Sequence, residues 1–276
     1  MDRGFVRVAM AFLLLAVFLV SHASAAEVLI PGGQTVHAGQ CRELVYAANP
    51  NYPPYHWKVS ETAYDGASKE LLELVVPPGV TLKPTVLPWK RALEWARLGK
   101  VDLLLSLRIT PERSEYLKFT THRAFPNPIV VFVRADRTFP LKSWADLKGK
   151  KGGISLGDTF GNGFDEYLRR ELTIEEAPTM ENNFVKLEAG RIDYFVTSQY
   201  VGKSYAALNI QRGEFISLTP AISDMDIHFG FSRASPCAAL AEQVSRRLKE
   251  LDRQGVPEQL LDKYLSRIKR SRSLAK

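Results

Sequence analysis

Sulfur is scarce in this chain, with two cysteines and four methionines among 276 residues. Cys41, Cys237 and the scattered histidines His37, His56, His122 and His228 supply fewer ligands than a metal site needs, so neither a metal nor any other cofactor is expected. No His-Glu-x-x-His occurs, which removes the zinc-protease signature, and no catalytic residues are expected. Past residue 26 there is no long apolar run, so the rest of the chain is not expected to cross a membrane. Basic residues gather near the end, at Lys263, Arg267, Lys269, Arg270, Arg272 and Lys276, without the interleaved aromatics of a stacking platform. Nucleic acid is therefore not an expected partner, and the cluster reads as a solvated, fraying tail.

What is present points to export. Residues 1–26 place Arg3 and Arg7 ahead of an apolar run over 8–20 and end in small residues, Ala23-Ser24-Ala25-Ala26, the layout of a cleaved secretory signal. The run is short of the ~20 residues a spanning helix needs, and no cysteine at the junction suggests a lipid anchor. The product is expected free in the periplasm or outside the cell. In such an oxidising compartment the lone pair Cys41 and Cys237 reads as a bridge. The formal charge is +7 and 45% of residues are hydrophobic, ample for packed cores.

An internal repeat organises the rest. Gly99-Lys100-Val101-Asp102-Leu103-Leu104-Leu105-Ser106 returns in weakened form as Gly190-Arg191-Ile192-Asp193-Tyr194-Phe195-Val196-Thr197. In each copy an amphipathic run precedes the glycine, which reads as a left-handed helix stop, and a buried parallel strand follows the aspartate. Two α/β units of similar build are predicted, with ligand chemistry beyond the strand ends. That sets Ser106, Arg108 and Arg113 opposite Thr197, Ser198 and Gln199. Among the other predicted elements are strands at 42–48, 81–87, 153–156 and 227–232, extended runs at 116–121 and 129–134, and helices at 66–76, 164–171, 183–188, 199–207, 236–253 and 257–269. The prolines Pro50, Pro53 and Pro54 exclude regular helix or central strand between them and hold an aromatic loop. The glycine-rich turn at 157–163 matches no P-loop or dinucleotide fingerprint; its amides suit either an anion or a plain helix cap. The closing helices need a partner and are placed on the first unit.

Several phrases together resemble the family 3 periplasmic solute-binding proteins: Tyr52-Pro53-Pro54-Tyr55, Leu98-Gly99-Lys100-Val101-Asp102, Ile109-Thr110-Pro111-Glu112-Arg113, Phe119-Thr120, Asp146-Leu147-Lys148-Gly149-Lys150 and Ala189-Gly190-Arg191-Ile192-Asp193. The resemblance covers nearly the whole mature chain. It implies an α/β, two-lobe periplasmic-binding-protein fold of type II, each lobe a mostly parallel sheet flanked by helices, joined by two hinge strands. Lobe one is expected at 27–132 plus 230–276 and lobe two at 133–229. It also implies a monomeric receptor that captures a small carboxylate-bearing solute, an amino acid or related organic acid, and delivers it to the permease of an ABC transporter.

By the same resemblance, Arg113 matches the arginine that grips a ligand carboxylate and Thr159 a second carboxylate contact, while Tyr52 and Trp89 match the aromatic walls, to which His56 is added. Asn49 stands where several members have an acid, and Ser106 lies at the strand end. Two positions depart from the pattern: Ser198 replaces an aspartate that holds an α-ammonium, and Arg108 replaces a small hydroxyl residue. The cleft becomes more positive, which favours a more anionic ligand unless Asp158, Asp193 or Glu112 compensates. The alternatives are a periplasmic dehydratase of the cyclohexadienyl type, disfavoured because no acid follows the second organising strand, and a ligand-sensing module for a membrane partner.

Overall fold

The structure, a computed structural model, describes residues 41–209 and 214–274, with side chains at 41–208 and 214–271. The expected signal at 1–26 and the lead-in that follows it lie outside the described residues. In chain order the strands are β1 (Glu43–Ala47), β2 (Asn51–Tyr52), β3 (His56–Ser60), β4 (Ala63–Asp65), β5 (Thr81–Pro84), β6 (Leu103–Leu107), β7 (Leu117–Phe119), β8 (Phe125–Arg134), β9 (Lys151–Ser155), β10 (Thr173–Ala177), β11 (Tyr194–Ser198), β12 (Phe215–Ser217) and β13 (Ser223–Ser232). The helices are α1 (Ala67–Val75), α2 (Trp89–Arg97), α3 (Pro111–Tyr116), α4 (Phe164–Glu171), α5 (Met180–Glu188), α6 (Gln199–Asn209), α7 (Ala241–Arg253) and α8 (Val256–Leu274).

The repeat is real down to single hydrogen bonds. Gly99 follows α2 at φ 72° and Gly190 follows α5 at φ 67°, the left-handed stop in which a missing Cβ removes the steric penalty. Lys100 N–H donates to Trp95 O at 2.8 Å, and Arg191 N–H to Lys186 O at 2.9 Å. Each aspartate then anchors the neighbouring parallel strand: Asp102 Oδ2 accepts from Val45 N–H and Asp193 Oδ2 from Lys151 N–H, both at 2.7 Å. The strands that follow, β6 and β11, are buried along their whole length, which accounts for their unbroken apolar runs.

One ten-stranded sheet holds both units, in the order β10-β9-β11-β8-β13-β6-β1-β5, with β12 added on β8 and β7 on β13. The pairs β1–β5, β1–β6, β9–β10 and β9–β11 are parallel. Between these two sets lie the long strands β8 and β13, antiparallel to each other. The first half of β8 pairs with the first half of β13; the second half of β8 pairs with β11 and β12, and that of β13 with β6 and β7. Each long strand thus runs out of the shared middle into a different parallel set. Leu44, Leu71, Phe229, Val244 and Leu261 pack one core. Ile129, Val131, Phe164, Tyr194 and Val196 pack another around the second set. Each such fully buried side chain stabilises by about 1.5–3 kcal/mol.

Several expectations need correction. The proline-rich loop contains a small antiparallel sheet, β2-β3-β4, because the prolines fall outside the paired residues. Pro111–Tyr116 is helical, since Pro111 takes the first turn and the Thr110 side chain caps the Arg113 amide at 3.2 Å. The extended run expected from 116 therefore shortens to β7. Strand β10 was not foreseen because its half-polar sequence, Thr-Ile-Glu-Glu-Ala, lacks an apolar period. The basic segment is helical as far as Leu274, in α8, where Lys263 pairs with Glu70 at 2.7 Å and Arg267 with Asp65 at 2.7 Å, and Lys276 lies outside the described residues. Helix α8 packs on α1, α6, α7 and β8. The disulfide joins Cys41, ahead of β1, to Cys237, with Cα atoms 5.0 Å apart.

Candidate ligand-binding cleft

The C-terminal ends of β6, β9 and β11 converge with the aromatic loop before β3. Ser106, next to last in β6, has φ 46°, an unusual backbone for a residue with a Cβ and one that concentrates at functional sites. Its hydroxyl lies 2.6 Å from that of Ser68, which lies 3.2 Å from His56 Nδ1. All three residues are buried, and burial pushes the His56 imidazole down to about 3, so it is neutral at physiological pH. His56 was expected as a wall; at 1% exposure it supports Ser106 from behind instead.

Beyond Ser106 the chain turns into two guanidinium groups. Arg113 is half-buried, donates from Nη1 to the Arg108 carbonyl at 3.0 Å, and stands 6.0 Å from the centroid of the Trp89 ring. Burial lowers its pKa, yet a guanidinium stays charged at any physiological pH. No carboxylate lies within ion-pair distance of it among the described residues. Arg108 reaches from the end of β6 to donate to the carbonyl of Thr159, in the loop after β9. Beside it stands Asp158, which water can reach but which protein crowds on several sides. That crowding raises its carboxyl to about 6, against the opposing pull of Arg108.

The loop leading to α4 behaves as a cap, not an open anion site. Asp165 accepts from the Phe160 and Gly161 amides at 2.8 and 2.7 Å, so the chain supplies the negative charge itself. Asn49 likewise closes a local turn, its Oδ1 accepting from Asn51 N–H at 3.0 Å.

The residue that sequence reasoning missed is Asn127, fully buried in the shared middle of β8. Its Oδ1 accepts from Tyr55 O–H at 3.1 Å and from the Ser198 hydroxyl, and its Nδ2 donates to Tyr52 OH at 3.3 Å. One amide thus ties the aromatic loop to the end of β11. Tyr52 stacks on Tyr55 at 5.2 Å between centroids, and burial raises its pKa, keeping the phenol protonated. A signal existed in Phe125-Pro126-Asn127-Pro128: a polar side chain inside a strand, bracketed by prolines, is a buried polar group that needs partners. The structure therefore brings Tyr52, Ser106, Arg108, Asp158, Thr159 and Ser198 to one place, with Trp89 behind Arg113.

A family model for bacterial extracellular solute-binding proteins, family 3, matches residues 44–267. The chain belongs to that family. ABC transporter arginine-binding protein 1 of Escherichia coli is 27% identical over 169 residues, covering 61% of this chain and 68% of its own. Among solved structures, an amino acid ABC transporter substrate-binding protein from Streptococcus pneumoniae bound to L-arginine is similar with a TM-score of 0.62 at 22% identity, covering 82% of this chain and 96% of that one. The ancestral amino-acid-binding protein AncCDT-1, described as a precursor of cyclohexadienyl dehydratase, is similar with a TM-score of 0.61 at 23% identity, covering 81% and 95%. At these identities the structural likeness establishes the two-lobe fold. No described helix is long and apolar enough to cross a membrane.

Proposed function

We propose that this family 3 protein is a periplasmic receptor for a small carboxylate-bearing solute, which it delivers to an ABC transporter permease. Arg113 is the observation that carries the reading. A half-buried guanidinium without an acid partner, at the convergent ends of parallel strands, is a cation kept for an anion from outside. Trp89 flanks it, Tyr52 forms a wall, and Ser106 and Thr159 offer further polar contacts. The lobes at 27–132 plus 230–276 and at 133–229 close on the solute by flexing where β8 and β13 pair, and the closed form is what the permease recognises. The receptor is a monomer exported by its N-terminal signal. The arginine-binding relative and the arginine-bound neighbour support a ligand of amino-acid size.

The test is a thermal-shift screen of amino acids, oxo-acids and dicarboxylates, followed by calorimetry on the hits. Arg113→Ala is expected to lose about 2–4 kcal/mol of binding, the worth of a charge-assisted pair plus the unpaired ligand charge, with folding nearly unchanged. A hit whose affinity is unaltered in Arg113→Ala removes that residue from the site.

A further inference from the structure

The donors and acceptors around the cleft are strongly unequal, and the inequality selects a ligand. An ammonium group has three protons and no lone pair, so it needs acceptors, and in a partly desolvated site it needs a negative one. Most neutral acceptors nearby already engage a donor or hydroxyl of the chain, and none of them carries a charge. The Arg108 carbonyl receives Arg113 and the Thr159 carbonyl receives Arg108. Asn127 Oδ1 receives the Ser198 hydroxyl and shares the single Tyr55 proton with the Pro126 carbonyl, which is nearer at 2.8 Å against 3.1 Å. The Ser106 hydroxyl is engaged with Ser68. Two carboxyls remain nearby: Glu112, felt by Arg113 but paired with Arg97 at 3.2 Å, and Asp158, which sits beside Arg108, so Asp158 is the acid left uncommitted and a cation already adjoins it.

Donors are in surplus. Arg113 uses Nη1 on the protein and keeps Nε and Nη2; Arg108 likewise bonds the chain through Nη1 alone. Tyr52 oxygen accepts from Asn127, and its own proton faces Ser198 or a ligand. From this balance we infer that the cleft prefers a carboxylic acid without an ammonium group, an oxo-acid, hydroxy-acid or dicarboxylate, over an α-amino acid. This rests on the receptor reading above and names the solute class within it. Such a ligand places oxygens on both guanidinium groups and on the Tyr52 hydroxyl, and brings no cation into a site with an excess of them. Ser198 and Asn127 set the preference: they fill the space at the β11 end with a closed, neutral hydrogen-bond cluster where an acid would accept an ammonium.

The experiment is a calorimetric comparison at pH 7 of matched pairs that differ at the α-position: L-glutamate with 2-oxoglutarate, L-phenylalanine with phenylpyruvate, and L-arginine as the cationic extreme. The expected result is that the amine-free member of at least one pair binds tenfold or more tighter than its amino partner, and that L-arginine is silent. In Ser198→Asp the amino member is expected to gain at least tenfold, narrowing or reversing the gap. Circular dichroism and a melting curve check that the variant folds. Tight wild-type binding of L-arginine or L-glutamate that disappears in Arg113→Ala overturns the inference and leaves the receptor reading intact. No response to any member, in wild type or variants, overturns both.

Discussion

At the scale of single residues, Asp158 is the group most sensitive to conditions. Protein crowding raises its carboxyl from 3.8 to about 6 while Arg108 pulls the other way, and Tyr52 and Ser155 are its other close neighbours. Because the folded value lies above the ordinary one, its contribution to stability is complete below pH 3.8 and fades as pH rises through 6. For an anionic ligand the sign is the same. Between pH 5 and pH 7 the free protein gains a negative charge beside the anion, and affinity should fall roughly threefold to tenfold. Asp158→Asn should flatten that profile and raise affinity at pH 7. Calorimetry across the pH series checks it; a wild-type profile unchanged by Asp158→Asn means the charge is not felt at the site. Arg113 stood out as a candidate because it sits in the phrase Ile109-Thr110-Pro111-Glu112-Arg113. Asp158, next to Thr159, was legible only as a possible compensating acid. Asn127 and Ser68 were not legible as site residues, since their roles depend on contacts between segments far apart in the chain.

At the scale of elements, the two copies of the helix–glycine–strand unit invite comparison. Both aspartates accept a neighbouring strand's amide, but Asp102 also receives the Ser235 hydroxyl and is half-buried, whereas Asp193 is exposed. Asp102→Ala should therefore cost about 2–4 kcal/mol and Asp193→Ala only about 1 kcal/mol, following the number of charged hydrogen bonds lost and their burial. Urea unfolding curves of the two variants decide it, and equal losses would mean that the first copy's extra bond adds nothing. The repeat was readable because glycine stops and buried strands leave strong local marks. Helix α3 and the small β2-β3-β4 sheet were not, since three prolines and a six-residue helix give too short a pattern to show a period.

At the scale of the whole molecule, the disulfide and the crossing of β8 and β13 tie the two ends of the chain together. The bridge spans 196 positions, and the chain-entropy model puts its contribution at up to about 5 kcal/mol, an upper figure for so long a loop. The paired variant Cys41→Ser with Cys237→Ser should unfold at a clearly lower denaturant midpoint, and the unreduced wild type, denatured, should titrate no free thiol. Two thiols found there would contradict the bridge. The pairing was legible from cysteine count and export signal, and its place became clear only when the fold brought residue 237 beside β1.

That closure has a consequence for how the chain is made. Synthesis proceeds from the N-terminus, so β1, β5 and β6 appear early, yet β13, α7 and α8, which cover them, come last. The middle of the chain, with β9, β10 and β11 around their own core, can assemble while the opening segment still waits. For that interval the apolar residues of β6 and α1 and an unpaired strand edge face solvent, a state prone to aggregate. A holding chaperone would therefore matter most for the opening segment, and a nascent chain stalled before β13 would be the form it protects.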